Sequence, residues 1–186
     1  MKQMITARRQ KSWDLRAAAN FIGGGTGTGL IVMSVAAGFF GADTAVSLAV
    51  GAGFVMAGLS MVWLEIGKPW RALNVFFHPQ TSWMTREGIV AGPLVAAVAG
   101  CVLVPLPGLP LAAAILAAGF LFCQARILKA SRGIPAWKQP ALLPFILVTG
   151  WAEGAAMLVL LGEASPLAFG VGLAAGLARA VVWRAV

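Results

Sequence analysis

Few side chains in this sequence are equipped for chemistry, and their depth in apolar segments makes them informative. Glu153 lies about 13 residues into an apolar run, or roughly 20 Å at 1.5 Å per residue. An ionisable group at that depth is costly, so it marks either a functional site or a paired strut between helices. Glu65 ends the second apolar run, and Asn20 in the first and Gln124 and Arg126 in the fourth sit at similar depth. Glu87 opens the third run, where a carboxylate suits a helix N-terminus by charge and by capping, or else joins a polar pocket. Such a pocket would offer hydrogen-bond partners for two carbonyls and a group that exchanges protons. That chemistry suits a quinone, whose reduction takes up two protons. His78, the single imidazole, stands in the longest loop; it is a surface or packing residue, or a proton relay or partner contact.

Other chemistries lack their ligands. Cys101 and Cys123 both lie inside apolar runs and have no partner at metal-ligand spacing. Two Cys and one His provide neither the roughly four thiolates of an iron–sulfur cluster nor two His for a haem. Metal ligands are therefore not expected in this chain. The tract Gly23-Gly24-Gly25-Thr26-Gly27-Thr28-Gly29 imitates a dinucleotide loop. No strand precedes it and it falls in an apolar run, which argues against that reading. Gly25 and Gly29 have the small-xxx-small spacing that lets helices approach closely; the other reading is room for a flat ligand ring.

These residues must be positioned by helices in a membrane. The 186-residue chain is 60% hydrophobic and only 11% charged, too little charge for a water-facing surface. Six apolar runs are long enough to span a bilayer: 16–40, 45–67, 88–106, 109–131, 140–162 and 166–184. The expected fold is an all-α bundle of six transmembrane helices, forming a single membrane domain over 1–186. The basic stretch before the first run (Lys2, Arg8, Arg9, Lys11, Arg16) and that run's length argue for a retained helix, not a cleaved signal. The loops after runs one, three and five carry no Lys or Arg, so with six spans all fourteen cations fall on one side. The positive-inside rule makes that side cytoplasmic, with both termini there, in an inner membrane. The net charge of +8 is thereby a topology signal, and nucleic acid is not an expected partner. Six of the seven Trp also lie near the basic side; only Trp151 does not. The loop 68–87 mixes bulky apolar, basic and hydrogen-bonding residues, as a segment lying on the membrane or on a partner does.

The stretch from Glu65 to Asn74 (EIGKPWRALN), followed by Ser82-Trp83-Met84-Thr85-Arg86-Glu87, resembles a signature of redox membrane anchors. These are the membrane subunits of dimethyl-sulfoxide-reductase and polysulfide-reductase type enzymes, the DmsC/NrfD superfamily. The family pattern is approximately H-L-G-x-P-x-R-A-x-N, then S-x-x-S/R-E. The Gly-rich first helix and Ile134-Pro135-Ala136-Trp137 fit it as well. The wording of 78–87 and 130–140 is most similar to the anchor of phenylacetyl-CoA:acceptor oxidoreductases. The resemblance implies a quinone-reactive subunit using ubiquinone or menaquinone. It further implies a ferredoxin-like iron–sulfur subunit, which would link the chain to a molybdenum or tungsten pterin catalytic subunit. It carries the family's quinone-linked carboxylate onto Glu87. The family's quinone-linked His falls on Glu65, a departure, although a Glu also exchanges protons. The remaining quinone-site candidates are Asn20, Arg71, His78, Gln124, Arg126 and Glu153. The docking candidates are Lys68, Trp70, Arg71, His78, Trp83 and Arg86. Many relatives have eight or more helices, so a minimal form and a shortened chain are both open. With the docking loop on the cytoplasmic side, the substrate of the complex is expected to be intracellular, as a coenzyme A thioester would be. Two further classes stand beside this: a small transporter with Glu153 as its proton site, and a structural anchor that binds no quinone.

Overall fold

Asp14 begins the first helix by accepting a hydrogen bond from the Arg16 amide at 2.8 Å, an N-cap that satisfies one orphan donor. The computed structural model describes residues 14–66, 69–104, 106–131, 134–163 and 166–184, except for the side chains of 65, 66, 69–72 and 167. Among the described residues six α-helices follow in order: α1 (Leu15–Gly38), α2 (Ala45–Ile66), α3 (Trp83–Leu103), α4 (Leu109–Ala130), α5 (Leu142–Leu160) and α6 (Pro166–Trp183). Two 3-10 segments, Pro69–Phe76 and Pro135–Lys138, lie before α3 and α5. No strand occurs among the described residues.

The helices α1 to α5 are long and apolar enough to cross a membrane. The apolar part of α6, Ala168–Trp183, is shorter than these five. Inside lipid, helices suit this sequence because every backbone group is bonded within its own segment. Large apolar side chains face outward as lipid contacts require, among them Ile115 and Leu173.

The glycine tract explains why α1 is the central helix, packed on α2, α4 and α5. A Cβ at Gly27 would strike the Gly51 carbonyl and Phe54 of α2. On another face, a Cβ at Gly29 would strike Gly150, and one at Gly154 would strike the Gly29 backbone. The Gly25/Gly29 pair on α1 therefore meets a second small-xxx-small pair, Gly150 and Gly154, on α5. Two apolar clusters flank α1: one includes Ile31, Val55, Leu94 and Phe120, the other Leu30, Met33, Leu158 and Ala168. By contrast α3 leans on α4 and touches α2 sparsely, which leaves a cleft between α2 and α3.

The two ends of the bundle are built differently. The connections after α1, α3 and α5 each turn at a glycine with positive φ: Gly41 (88°), Gly108 (88°) and Gly162 (100°). The connections at the basic end use the two 3-10 segments. There the Arg16 guanidinium donates to the Leu64 carbonyl at 3.0 Å, tying the start of α1 to the end of α2.

The α3 boundary differs from the sequence expectation. Hydropathy placed the span at 88–106, whereas α3 runs Trp83–Leu103. The Ser82 hydroxyl accepts from the Thr85 amide at 3.2 Å and starts the helix before the apolar run begins. Glu87 thus lies in the second turn, and Ser82 does the capping.

Candidate functional site

Three polar side chains converge near the basic end. Glu87 of α3 and Asn20 of α1 are each 4% exposed, and Gln124 of α4 is 1% exposed. Gln124 has space because Gly24 stands opposite: a Cβ there would collide with its amide. The Gln124 amide nitrogen donates to the Asn20 backbone carbonyl at 3.2 Å, a link between α4 and α1. The Glu87 carboxyl interacts with both amide side chains. These contacts do not saturate the group. Glu87 Oε1, Asn20 Oδ1 and Gln124 Oε1 are all buried without an aligned hydrogen-bond partner.

That deficit has chemical content. Buried polar atoms are normally satisfied by protein, water or ligand. A carboxyl that carries a proton offers one O–H donor, while one that has released it offers only acceptors. The trio therefore changes its hydrogen bonding when a proton arrives at or leaves Glu87.

Glu87 also lines two cavities. The smaller, about 190 Å³, lies among α1, α3, α4 and the second 3-10 segment, against Ala17, Asn20, Ser131 and Trp137. At about 30 Å³ per water it has room for a few water molecules. The larger, about 580 Å³, is the α2–α3 cleft, lined by Met56, Trp63, Phe76, Met84 and Gly92 among others. Its volume lies within the usual range for small-molecule sites and its lining is mostly apolar. Among the described residues only Glu87 and Met84 line both cavities, so Glu87 stands between the apolar cleft and a small chamber that Asn20 and Ser131 also line.

The other candidates lie elsewhere. Glu153 accepts a hydrogen bond from the Thr26 hydroxyl at 2.7 Å, linking α5 to α1, and lines neither cavity. The Arg126 guanidinium lies 4.7 Å from the centre of the Trp83 ring and lines neither cavity. Arg86 lies 4.0 Å from the same ring and donates to the carbonyls of Pro79 and Gln80. Trp83 and Arg86 are thus half-buried in a stack, whereas His78 is exposed on its loop. The side chains of Glu65, Trp70 and Arg71, and all of Lys68, lie outside the described residues. Sequence reasoning missed Met56, Phe76, Met84 and Gly92, which read there as ordinary apolar or loop residues. It also missed Gly24 and Thr26 as the partners of Gln124 and Glu153. Among the described residues no group of His, Cys, Asp or Glu has the arrangement of a metal site.

A family model described as "Polysulphide reductase, NrfD" matches residues 3–107, more than half of the chain. The match takes in α1, α2, the connecting loop and α3, and with them Asn20 and Glu87; Gln124 and Glu153 lie beyond it. No curated protein and no solved structure matches the chain.

Proposed function

The chain belongs to the polysulphide reductase, NrfD, family, whose members are membrane subunits of redox complexes, and from that premise we propose that it is a quinone-reactive membrane anchor. Its partners are a ferredoxin-like iron–sulfur subunit and a molybdenum or tungsten pterin catalytic subunit. They sit on the basic face, which the charge rule makes cytoplasmic. All six helices cross the membrane in this reading, with both termini inside, and α6 is the shortest span. A cytoplasmic substrate such as an acyl-CoA fits that orientation.

The observation that carries the reading is the position of Glu87 between an apolar cleft and a small chamber that Asn20 and Ser131 also line. The cleft opens between two sparsely packed helices, where a lipid-soluble ring and its tail can enter sideways. When protonated, the Glu87 carboxyl can donate its O–H to a quinone carbonyl, and its Oε1 has no other partner among the described residues. A quinone held in the cleft would accept two electrons from the partner side together with two protons, and Glu87 would be the group that supplies those protons. Glu87 passes protons one at a time from the chamber side to the cleft side. Asn20 and Gln124 hold the carboxyl and reorganise their hydrogen bonds as it exchanges. Partner docking falls to the exposed part of the loop, where Leu73, Phe77 and His78 face outward. Glu153, bonded to Thr26, is a strut in this scheme.

Glu87→Gln in the intact complex tests the role. Gln retains the shape and the hydrogen-bonding capacity but cannot exchange a proton. Quinone-coupled turnover is expected to fall by roughly 10²-fold or more, with quinone-analogue binding changed only a few-fold. Unchanged turnover would remove Glu87 from the proton path.

A further inference from the structure

The Arg126 guanidinium lies outside the proposed quinone site and, among the described residues, is held by nothing except the Trp83 ring. No hydrogen bond or ion pair engages it among the described residues. Arg86, on the same ring, is fixed by its bonds to the Pro79 and Gln80 carbonyls at 2.8 and 3.0 Å. Two cations have thus been brought to one indole, at 4.0 and 4.7 Å from its centre, without a carboxylate to balance them among the described residues. With no counter-charge against either among the described residues, an anion beside the ring is attracted by both guanidiniums.

The surface below indicates which anion. Along α4, Leu111, Ile115, Phe122 and Arg126 fall on one face at helical spacing. The first three are 53%, 63% and 38% exposed, so this face is apolar and open. Between Ile115 and Phe122 lies Gly119, where a Cβ would meet nothing within 4 Å, so the stripe has a furrow. Phe122 meets Trp83 edge-on at 5.8 Å, which joins the furrow to the guanidinium pair. From Ile115 to Arg126 the rise is about 16 Å, close to half of a bilayer core of about 30 Å. A long apolar furrow ending at two guanidiniums at the basic end matches an acyl chain below a phosphate, which guanidinium binds in a planar, bidentate manner.

We propose that the Arg86–Trp83–Arg126 stack and the α4 furrow form a binding site for one anionic phospholipid of the inner leaflet. The site does not depend on the quinone reading. It assigns Arg126 to lipid recognition rather than to proton transfer.

The test is native mass spectrometry of the purified complex, titrated with phosphatidylglycerol or phosphatidylcholine. One tightly retained phosphatidylglycerol is expected, with phosphatidylcholine at least several-fold weaker. Arg126→Gln should weaken phosphatidylglycerol retention roughly tenfold, and Arg126→Lys less. Gly119→Phe fills the furrow without altering charge and should displace the lipid too. Each variant is first checked for unchanged helix content by circular dichroism. Equal retention of both lipids, or retention indifferent to Arg126→Gln and Gly119→Phe, overturns the proposal. So does loss of the partner subunits from Arg126→Gln with lipid retention intact, which would mark the stack as a protein-docking surface.

Discussion

At the scale of single residues, Glu87 shows both what the sequence reveals and where it stops. Its position beside a helix start was legible, and with it two readings, cap or pocket. The choice depended on Ser82, whose hydroxyl already serves the Thr85 amide and frees Glu87 to turn inward. No hydropathy pattern distinguishes these, because capping is a matter of one hydroxyl's geometry. Gln124 was legible as a deep polar side chain, but the need for Gly24 opposite it was not, since contacts across helices leave no local trace. Glu153 was legible as a deep carboxyl with two possible roles, and its partner Thr26 lay hidden in the glycine tract. Thr26→Val removes that partner while keeping the shape. It should lower stability by about 1 kcal/mol, as interhelical hydrogen bonds in membranes do, read by thermal unfolding in detergent. Quinone turnover should be nearly unchanged, because Glu153 lines neither cavity.

At the scale of elements, the helices were read to within a few residues, apart from the start of α3. That error has a physical cause: Trp83, Met84, Thr85 and Arg86 form the first turn at the membrane boundary, where the hydropathy signal is weakest. The pairing of helices was only partly legible. The Gly25/Gly29 spacing announced a close contact, and the structure shows its counterpart to be Gly150 and Gly154. The α1–α5 seam depends on backbone meeting backbone, so an added methyl there is not absorbed. Gly154→Ala should destabilise the protein by about 1–3 kcal/mol, as overpacking does. Gly53→Ala is the control: its Cβ would meet nothing within 4 Å, and stability should be unchanged or slightly raised. Equal melting shifts for the two variants would refute the seam.

At the scale of the molecule, composition already required a membrane, and the one-sided charge implied a direction across it. The structure adds a second asymmetry, with left-handed glycine turns at one end and 3-10 segments at the other. The site lies at the end with the 3-10 segments, where Glu87, both cavities and the paired arginines gather. The proposed orientation predicts that a cysteine placed at His78 reacts with a membrane-impermeant thiol reagent in inverted membrane vesicles and not in intact cells. The opposite labelling would move the partner subunits and the substrate outside. The cleft itself was beyond the reach of sequence, because it exists only through the sparse packing of α2 on α3. Gly92 lines that cleft, and a Cβ there would meet nothing within 4 Å, so Gly92→Phe can fill it without disturbing backbone. The most direct measurement is therefore the affinity of a short-chain quinone analogue for the intact complex, wild type against Gly92→Phe. The account predicts binding weakened roughly tenfold or more in a complex that still assembles. Equal affinity in the two proteins would contradict it and place the quinone elsewhere.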